Sequence, residues 1–287
     1  MKMKLLCAVV ATLLTASAYA QISITTTIRP LQLIALAVVQ DRATVNALVD
    51  GRQSPHAYNM SPSDRIAIAQ ADLLMWIDPG FEVYLSDIFP QQGKSKVLIT
   101  TTELQGLNQL KLSAQQVDPH LWLDTHNAVR IAEAVKNEMI ELDAESAAFY
   151  RRNFEQFSSN IEALNRAIAD KFLRADKKSF GVYHNAYQYF ENQFGLSRQI
   201  TLVQDPELQP SFQDIVDVRA QIRAALPQCL FIEADSNQAI IDTMLAGHEL
   251  RKVTIDLLGY QVASDASGYE KLITNVAREF ESCLSAR

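Results

Sequence analysis

The sequence predicts an α/β fold in which two parallel-sheet lobes are joined by a long connecting helix. Strand-like and helix-like segments alternate over the first 100 residues, and the alternation resumes after residue 178. Between them, residues 125–174 contain neither glycine nor proline and have apolar residues at helical spacing. The length of 287 residues suits two lobes, and a hydrophobic content of 48% supplies an ample core.

The first twenty residues have the pattern of a secretory signal peptide. Lys2 and Lys4 precede the apolar stretch 5–15, and Ala18-Tyr19-Ala20 forms a small-x-small cleavage site. The apolar stretch is too short for a stable membrane anchor. The residues before Cys7 do not match a lipid-attachment box, so we expect a soluble exported protein whose residues 1–20 are removed.

The first lobe is predicted to span residues 21–124. Four short segments rich in β-branched or apolar residues predict strands, at 22–26, 44–49, 73–77 and 97–100. Helices are predicted to begin at Pro30 and Pro62, because proline is favoured at the first helical position. Ser61 supplies an N-cap for the second of these helices.

Residues 125–174 predict one or two long helices that connect the lobes. A coiled-coil dimer is the competing interpretation, but the apolar positions do not keep a clean heptad register. We therefore expect a monomer. The second lobe is predicted to span residues 175–287, with strands at 179–183, 198–203, 229–232 and 252–255 and a final helix at 269–284.

Charge and cysteine content limit the possible partners. Removal of Lys2 and Lys4 leaves 24 lysines and arginines against 33 acidic residues, a net charge of −9 that disfavours a nucleic-acid partner. Two cysteines remain, Cys229 and Cys283. In an oxidising compartment an even pair predicts one disulfide, with two buried free thiols as the alternative.

Three of the five histidines lie at positions that suit a metal site. His184 follows a predicted strand, His56 follows another after a short loop, and His120 lies beside the proline-marked turn at Pro119. Asp256 also follows a strand. Ligands of open α/β sheets bind beyond the carboxyl ends of the strands, so these four groups are expected to face one crevice. Three imidazoles and a carboxylate predict a tetrahedral zinc site.

The remaining histidines have simpler interpretations. A lone histidine is more often a surface or core residue than a ligand, and only the convergence of four groups favours a metal site. His126 falls at a helix start and His248 in a turn after Gly247, where solvated side chains are expected. Trp76 and Trp122 are assigned to the core.

Each of the four candidate ligands lies in a distinctive segment. The segments are Ser54-Pro55-His56-Ala57-Tyr58, Asp118-Pro119-His120-Leu121-Trp122, Val182-Tyr183-His184-Asn185-Ala186 and Ile255-Asp256-Leu257-Leu258-Gly259. Together they resemble the ligand motifs of one family, the zinc and manganese solute-binding proteins of ABC transporters. The similarity extends over essentially the whole mature chain and includes the segments 207–210 and 231–233.

This resemblance implies a periplasmic protein that holds a metal ion between two lobes and delivers it to a membrane permease. In the family, a histidine at the third position goes with zinc and a carboxylate with manganese, so His184 favours zinc. Asp256 is the candidate fourth ligand. Glu233 is either a partner that holds a ligand imidazole or a contact between the lobes.

Two departures from the family pattern bear on the site. The histidine-rich loop of many zinc members is missing, since residues 101–117 contain no histidine and one acidic residue, Glu103. Some members have a glutamate before the first histidine, where this chain has Pro55.

Two other functions compete with zinc delivery, and metal-dependent adhesion is an additional role that the sequence leaves open. One is manganese or iron binding on the same fold, which His184 disfavours. The other, from a different class, is a zinc hydrolase. The chain lacks the H-E-x-x-H motif typical of such enzymes, and we expect no enzymatic activity.

Overall fold

The computed structural model describes residues 21–51, 53–114, 116–174, 179–198 and 200–285. The predicted signal peptide lies outside these residues. In the described ranges, no helix combines the length and the apolar character needed to cross a membrane. The predicted α/β class is confirmed, because the described strands form two four-stranded parallel sheets flanked by helices.

The first sheet has the strand order β2-β1-β3-β4, and all of its strands are parallel. Its strands are β1 (Ile22–Ile28), β2 (Ala43–Val49), β3 (Leu73–Trp76) and β4 (Val97–Thr100), and its helices are α1 (Arg29–Val39), α2 (Pro62–Gln70) and the short α3 (Phe89–Gln92). Helix α2 begins with a capping box in which Ser61 and Asp64 satisfy each other's backbone N–H groups.

Two helices form the connector, α4 (Thr125–Leu142) and α5 (Ala147–Arg174). Asp124 is the N-cap of α4, and its carboxylate accepts hydrogen bonds from the backbone N–H groups of His126 and Asn127. The break between the helices lies at Asp143, whose carboxylate accepts a hydrogen bond from Tyr150 Oη at 2.8 Å. Both helices bury an apolar stripe along their length.

The second sheet repeats the topology of the first, with the order β6-β5-β7-β8 and parallel strands throughout. Its strands are β5 (Gly181–His184), β6 (Ile200–Val203), β7 (Cys229–Ile232) and β8 (Arg251–Thr254), and its helices are α6 (Gln188–Phe194), α7 (Phe212–Ala225), α8 (Gln238–Leu245) and α9 (Gly268–Ser285). The two lobes therefore share a topology, although their sequences show no repeat.

The two lobes share one apolar core, which packs them against each other. A single cluster of buried apolar residues runs from Ile24 to Leu284, and α9 packs against α1 and α5. Trp122 lies in this core, 1% exposed, and its Nε1 donates to the carbonyl oxygen of Leu257 at 3.0 Å. Trp76 is also buried, as predicted. A cleft lined by residues of both lobes lies where parallel strands such as β5 end.

The predicted disulfide is confirmed, since Cys229 and Cys283 are bonded with their Cα atoms 5.9 Å apart. Both residues are fully buried. Cys229 is the first residue of β7 and Cys283 lies in the last turn of α9. The bond therefore links the second sheet to the helix that packs against the first lobe.

Candidate metal centre

The structure brings His56, His120 and His184 together in the cleft between the lobes. His56 lies in the loop between β2 and α2, His120 precedes the turn that leads into α4, and His184 is the last residue of β5. One ligand nitrogen from each ring falls within 4.8 Å of the other two. The three rings line a cavity of about 290 Å³.

The spacing of the rings suits one small cation. Their centroids are separated by 5.5 Å for His56 and His120, 5.7 Å for His56 and His184, and 5.4 Å for His120 and His184. On a tetrahedral zinc, two nitrogens lie about 3.3 Å apart because each Zn–N bond is about 2.0–2.1 Å. Only a small inward movement of the rings is needed to reach that geometry.

A buried carboxylate orients His120. Asp118 is fully buried, and its Oδ1 lies 2.7 Å from His120 Nδ1 and accepts from the His120 backbone N–H at 3.0 Å. The other carboxylate oxygen accepts from Gln188 Nε2 at 3.1 Å. With Nδ1 engaged in this way, Nε2 is the nitrogen available to a metal. No role is predicted for Asp118 from the sequence, although its two-residue spacing from His120 was a usable signal.

A second carboxylate lies beside His184. Glu233 follows β7, and its Oε2 is 3.3 Å from His184 Nδ1, an ion-pair distance without the alignment of a hydrogen bond. Tyr187 Oη donates to Oε1 of Glu233, and Ser236 Oγ donates to Oε2 at 3.0 Å. Of the two interpretations of Glu233 from the sequence, the contact with His184 favours a partner of a ligand imidazole.

Burial and charge act in opposite directions on His184 and Glu233. Burial works to lower the pKa of His184, but the charge of Glu233 and its contact with the ring outweigh it and raise that pKa. Burial likewise works to raise the pKa of Glu233, which His184, Tyr187 and Ser236 instead hold below its usual value. Glu233 is therefore a buried negative charge at neutral pH. Together with Asp118 it can offset the charge of a divalent cation.

His56 is held differently from the other two ligand candidates. Its ring packs edge-on against Phe81 with centroids 5.0 Å apart. Among the described residues, no carboxylate hydrogen bonds to the ring. Burial, and after it the charges of His120 and His184, lower the pKa of His56 to about 2. The imidazole is therefore neutral at neutral pH and has a lone pair free for a metal.

Asp256 does not join this group. Its Oδ1 accepts from the backbone N–H groups of Leu258 at 3.2 Å and Gly259 at 2.7 Å, and its Oδ2 accepts from that of Gln261 at 3.0 Å. The carboxylate thus stabilises its own turn, which Gly259 completes with a φ of +75°. Its oxygens lie outside the group in which the three histidine nitrogens fall within 4.8 Å of one another.

His126 and His248 also lie outside the group. His126 is exposed in the first turn of α4, with its Nε2 3.1 Å from the Gly106 carbonyl oxygen. His248 lies in the turn after α8.

We expect Asp118→Asn to weaken metal binding by about 10–100-fold, the usual effect of removing a charged partner from a ligand histidine. The asparagine keeps the size of the side chain but offers no negative charge to Nδ1, so His120 Nε2 becomes a weaker donor. Competition with a chromophoric chelator measures the affinity. Glu281→Gln, a change at the exposed ion pair with Lys171, serves as the control. An affinity for Asp118→Asn equal to that of the control would contradict a role for Asp118.

Two parallel-sheet lobes with a ligand cleft between them define the class of two-lobed solute-binding proteins. Residues 24–283 match the family described as "Zinc-uptake complex component A periplasmic", and the chain belongs to that family.

The chain is also similar in sequence and in fold to known proteins. The high-affinity zinc uptake system protein ZnuA of Brucella suis is 27% identical over 301 residues, covering 90% of each chain. The crystal structure of a ZnuA deletion mutant with zinc bound is similar with a TM-score of 0.80 at 23% identity, covering 93% of this chain and all of the other. The periplasmic zinc-binding protein TroA of Treponema pallidum has a TM-score of 0.82 at 17% identity, with the same coverage.

Proposed function

We propose that this protein captures Zn²⁺ in the periplasm and delivers it to the membrane permease of an ABC transporter. The observation that carries the proposal is the convergence of three imidazole nitrogens within 4.8 Å of one another. Membership of the zinc-uptake family and the name of the Brucella relative support it. The protein would act as a monomer with no enzymatic activity, after loss of the signal peptide 1–20.

The donor set favours zinc over manganese. Imidazole nitrogen suits zinc, whereas manganese prefers a site richer in oxygen. Asp118 and Glu233 supply negative charge next to the imidazoles, so zinc keeps a nitrogen-rich ligand set while its charge is offset. His56, His120 and His184 are the proposed protein ligands.

We propose that solvent completes the shell. Asp256 was the first candidate for the fourth ligand, but its carboxylate already accepts three backbone hydrogen bonds in its own turn. The cavity of about 290 Å³ that the histidines line is also lined by the exposed Glu207, so water can occupy it beside the metal. We also keep the lobe limits 21–124 and 175–287, with a connector at 125–174, as a proposal.

The metal content of the native protein tests this function. Protein purified from the periplasm is expected to hold one Zn²⁺ per chain, and deletion of the chromosomal copy is expected to slow growth only when zinc is depleted. Stoichiometric manganese or iron, or normal growth of the deletion strain without zinc, would overturn the proposal. Zinc-dependent ester or peptide hydrolysis at substantial turnover would instead favour the hydrolase alternative.

The ligand at position 184 is expected to set the metal preference. His184→Asp replaces a nitrogen donor by an anionic oxygen, so we expect the affinity ratio of zinc to manganese to fall by at least about tenfold. Competition titrations on parent and variant measure that ratio. Glu270→Gln, remote from the cleft, is the control. A ratio unchanged from the parent would remove His184 from the proposed ligands.

A further inference from the structure

A hydrogen bond crosses the cleft beside His56. Ser54 Oγ, in the loop between β2 and α2, donates to Oε1 of Glu207 at 2.9 Å. Glu207 lies in the loop between β6 and α7, and its sequence separation from Ser54 is 153 residues. The bond therefore links a loop of the first lobe to a loop of the second beside the cavity, which Glu207 and the three histidines line.

The same serine hydroxyl contacts the backbone of a proposed ligand. Ser54 Oγ accepts a hydrogen bond from the His56 backbone N–H at 3.3 Å. Glu207, Ser54 and His56 thus form a chain of hydrogen bonds from the second lobe to the ligand loop. Glu207 is itself oriented, because its backbone N–H donates to Oδ1 of Asp205 at 2.9 Å.

The other two ligand segments have firmer support. His184 belongs to a fully buried strand, β5. The His120 segment is held against α6 by Tyr189, whose Oη donates to the Asp118 carbonyl oxygen at 2.9 Å in a buried contact. His56 instead lies in a loop. The hydrogen bond from Ser54 to Glu207, which is exposed, connects this loop to the second lobe two residues before His56. Its position is therefore the most sensitive to a single hydrogen bond.

We propose that Glu207 is a positioning residue that acts through Ser54 to hold His56 against the other two histidines and so slows metal release. The proposal rests on the proposed function, since it concerns the same cleft and the same cation. Loss of the hydrogen bond frees the His56 loop to move away from His120 and His184. The bound cation then loses the His56 nitrogen more often, so the rate at which the metal dissociates rises.

A double-mutant cycle on the full mature protein tests this role. Ser54→Ala and Glu207→Ala are each expected to raise the rate of Zn²⁺ dissociation into excess chelator by about threefold to tenfold, the net effect of losing one typical hydrogen bond. The double variant is expected to release zinc no faster than the faster single variant, because both changes remove the same bond. The melting temperature of the metal-free protein is expected to stay at the parental value.

Two further variants distinguish positioning from other effects. Glu207→Gln keeps an acceptor oxygen for Ser54, so its rate is expected to lie nearer to the parent than that of Glu207→Ala. Gln156→Ala removes an exposed hydrogen bond to Asn160 on α5, remote from the cleft, and is the matched control. A Gln variant as fast as the Ala variant would assign the effect to charge and overturn the positioning role.

Other outcomes separate this inference from the proposed function. Single variants that release zinc at the parental rate, or effects that multiply in the double variant, would overturn the role of Glu207 and leave the proposed function standing. A parent protein that binds no zinc would overturn both.

Discussion

His120→Ala is expected to weaken zinc binding by more than about 100-fold, because loss of a ligand should exceed the roughly 10–100-fold effect of losing a ligand's partner. His120 is 4% exposed, with its ring centroid 5.5 Å from that of His56 and 5.4 Å from that of His184, so its nitrogen is a buried donor of the group. The variant also leaves Asp118 as a buried negative charge without its imidazole. Isothermal titration with a competing chelator measures the loss.

Asp256→Asn is the matched comparison for His120→Ala, because it changes a carboxylate that lies outside the proposed ligand set. The amide keeps an oxygen that can accept backbone hydrogen bonds in the 256–261 turn, while the negative charge is lost. We expect zinc affinity within about threefold of the parent, because Asp256 lies outside the histidine group and its carboxylate accepts backbone hydrogen bonds of its own turn. A large loss for Asp256→Asn together with a small loss for His120→Ala would reverse the proposed ligand set.

The alternation of strands and helices could be predicted because its signals are local. Pro30, and Ser61 followed by Pro62, mark helix starts, and the apolar segments at 97–100 and 229–232 match the observed strands β4 and β7. The gathering of the three histidines could also be predicted, since each follows a strand or a turn at the sheet edge where ligands bind.

Some hydrogen bonds of the site could not be predicted in the same way. Asp256 follows its strand as expected, but the turn at Gly259 directs backbone N–H groups at its carboxylate, and no hydrophobic period in the sequence indicates those bonds. The link from Ser54 to Glu207 joins residues 153 positions apart, so it depends on how the two loops pack in the folded chain.

The shared core gives a physical reason for expecting small motion on metal binding. Arg29, at the start of α1, donates from Nε to the Gly259 carbonyl oxygen at 2.6 Å and from Nη1 to Ser264 Oγ at 2.9 Å. At Gly268 an added Cβ would lie 2.6 Å from Leu33 Cδ2, which shows how closely α9 approaches α1. Interfaces packed in this way do not deform gradually, so movement should be concentrated in the loops at the cleft.

Removal of the disulfide is expected to lower the free energy of unfolding by about 4 kcal/mol, the loop-closure entropy for a cross-link of this span. The two cysteines are 54 residues apart in sequence and join β7 to α9. The packing of α9 against the second lobe remains in the variant, since Phe280 contacts Phe231 with ring centroids 4.4 Å apart. The bond therefore acts mainly on the unfolded chain, and the fold and the metal site should survive its loss.

The double variant Cys229→Ala/Cys283→Ala is expected to melt about 10 °C below the parent, at about 2–4 °C for each kcal/mol in a chain of this size. Zinc affinity is expected to stay within about threefold, because none of the ligand candidates touches either cysteine. Calorimetry of the metal-free protein measures the shift. The parent treated with a reductant is the matched control, since it keeps both sulfurs and loses only the bond between them. If the reduced parent melts as the oxidised parent does while the alanine variant melts lower, the loss comes from the cavities left by the sulfurs and not from the cross-link.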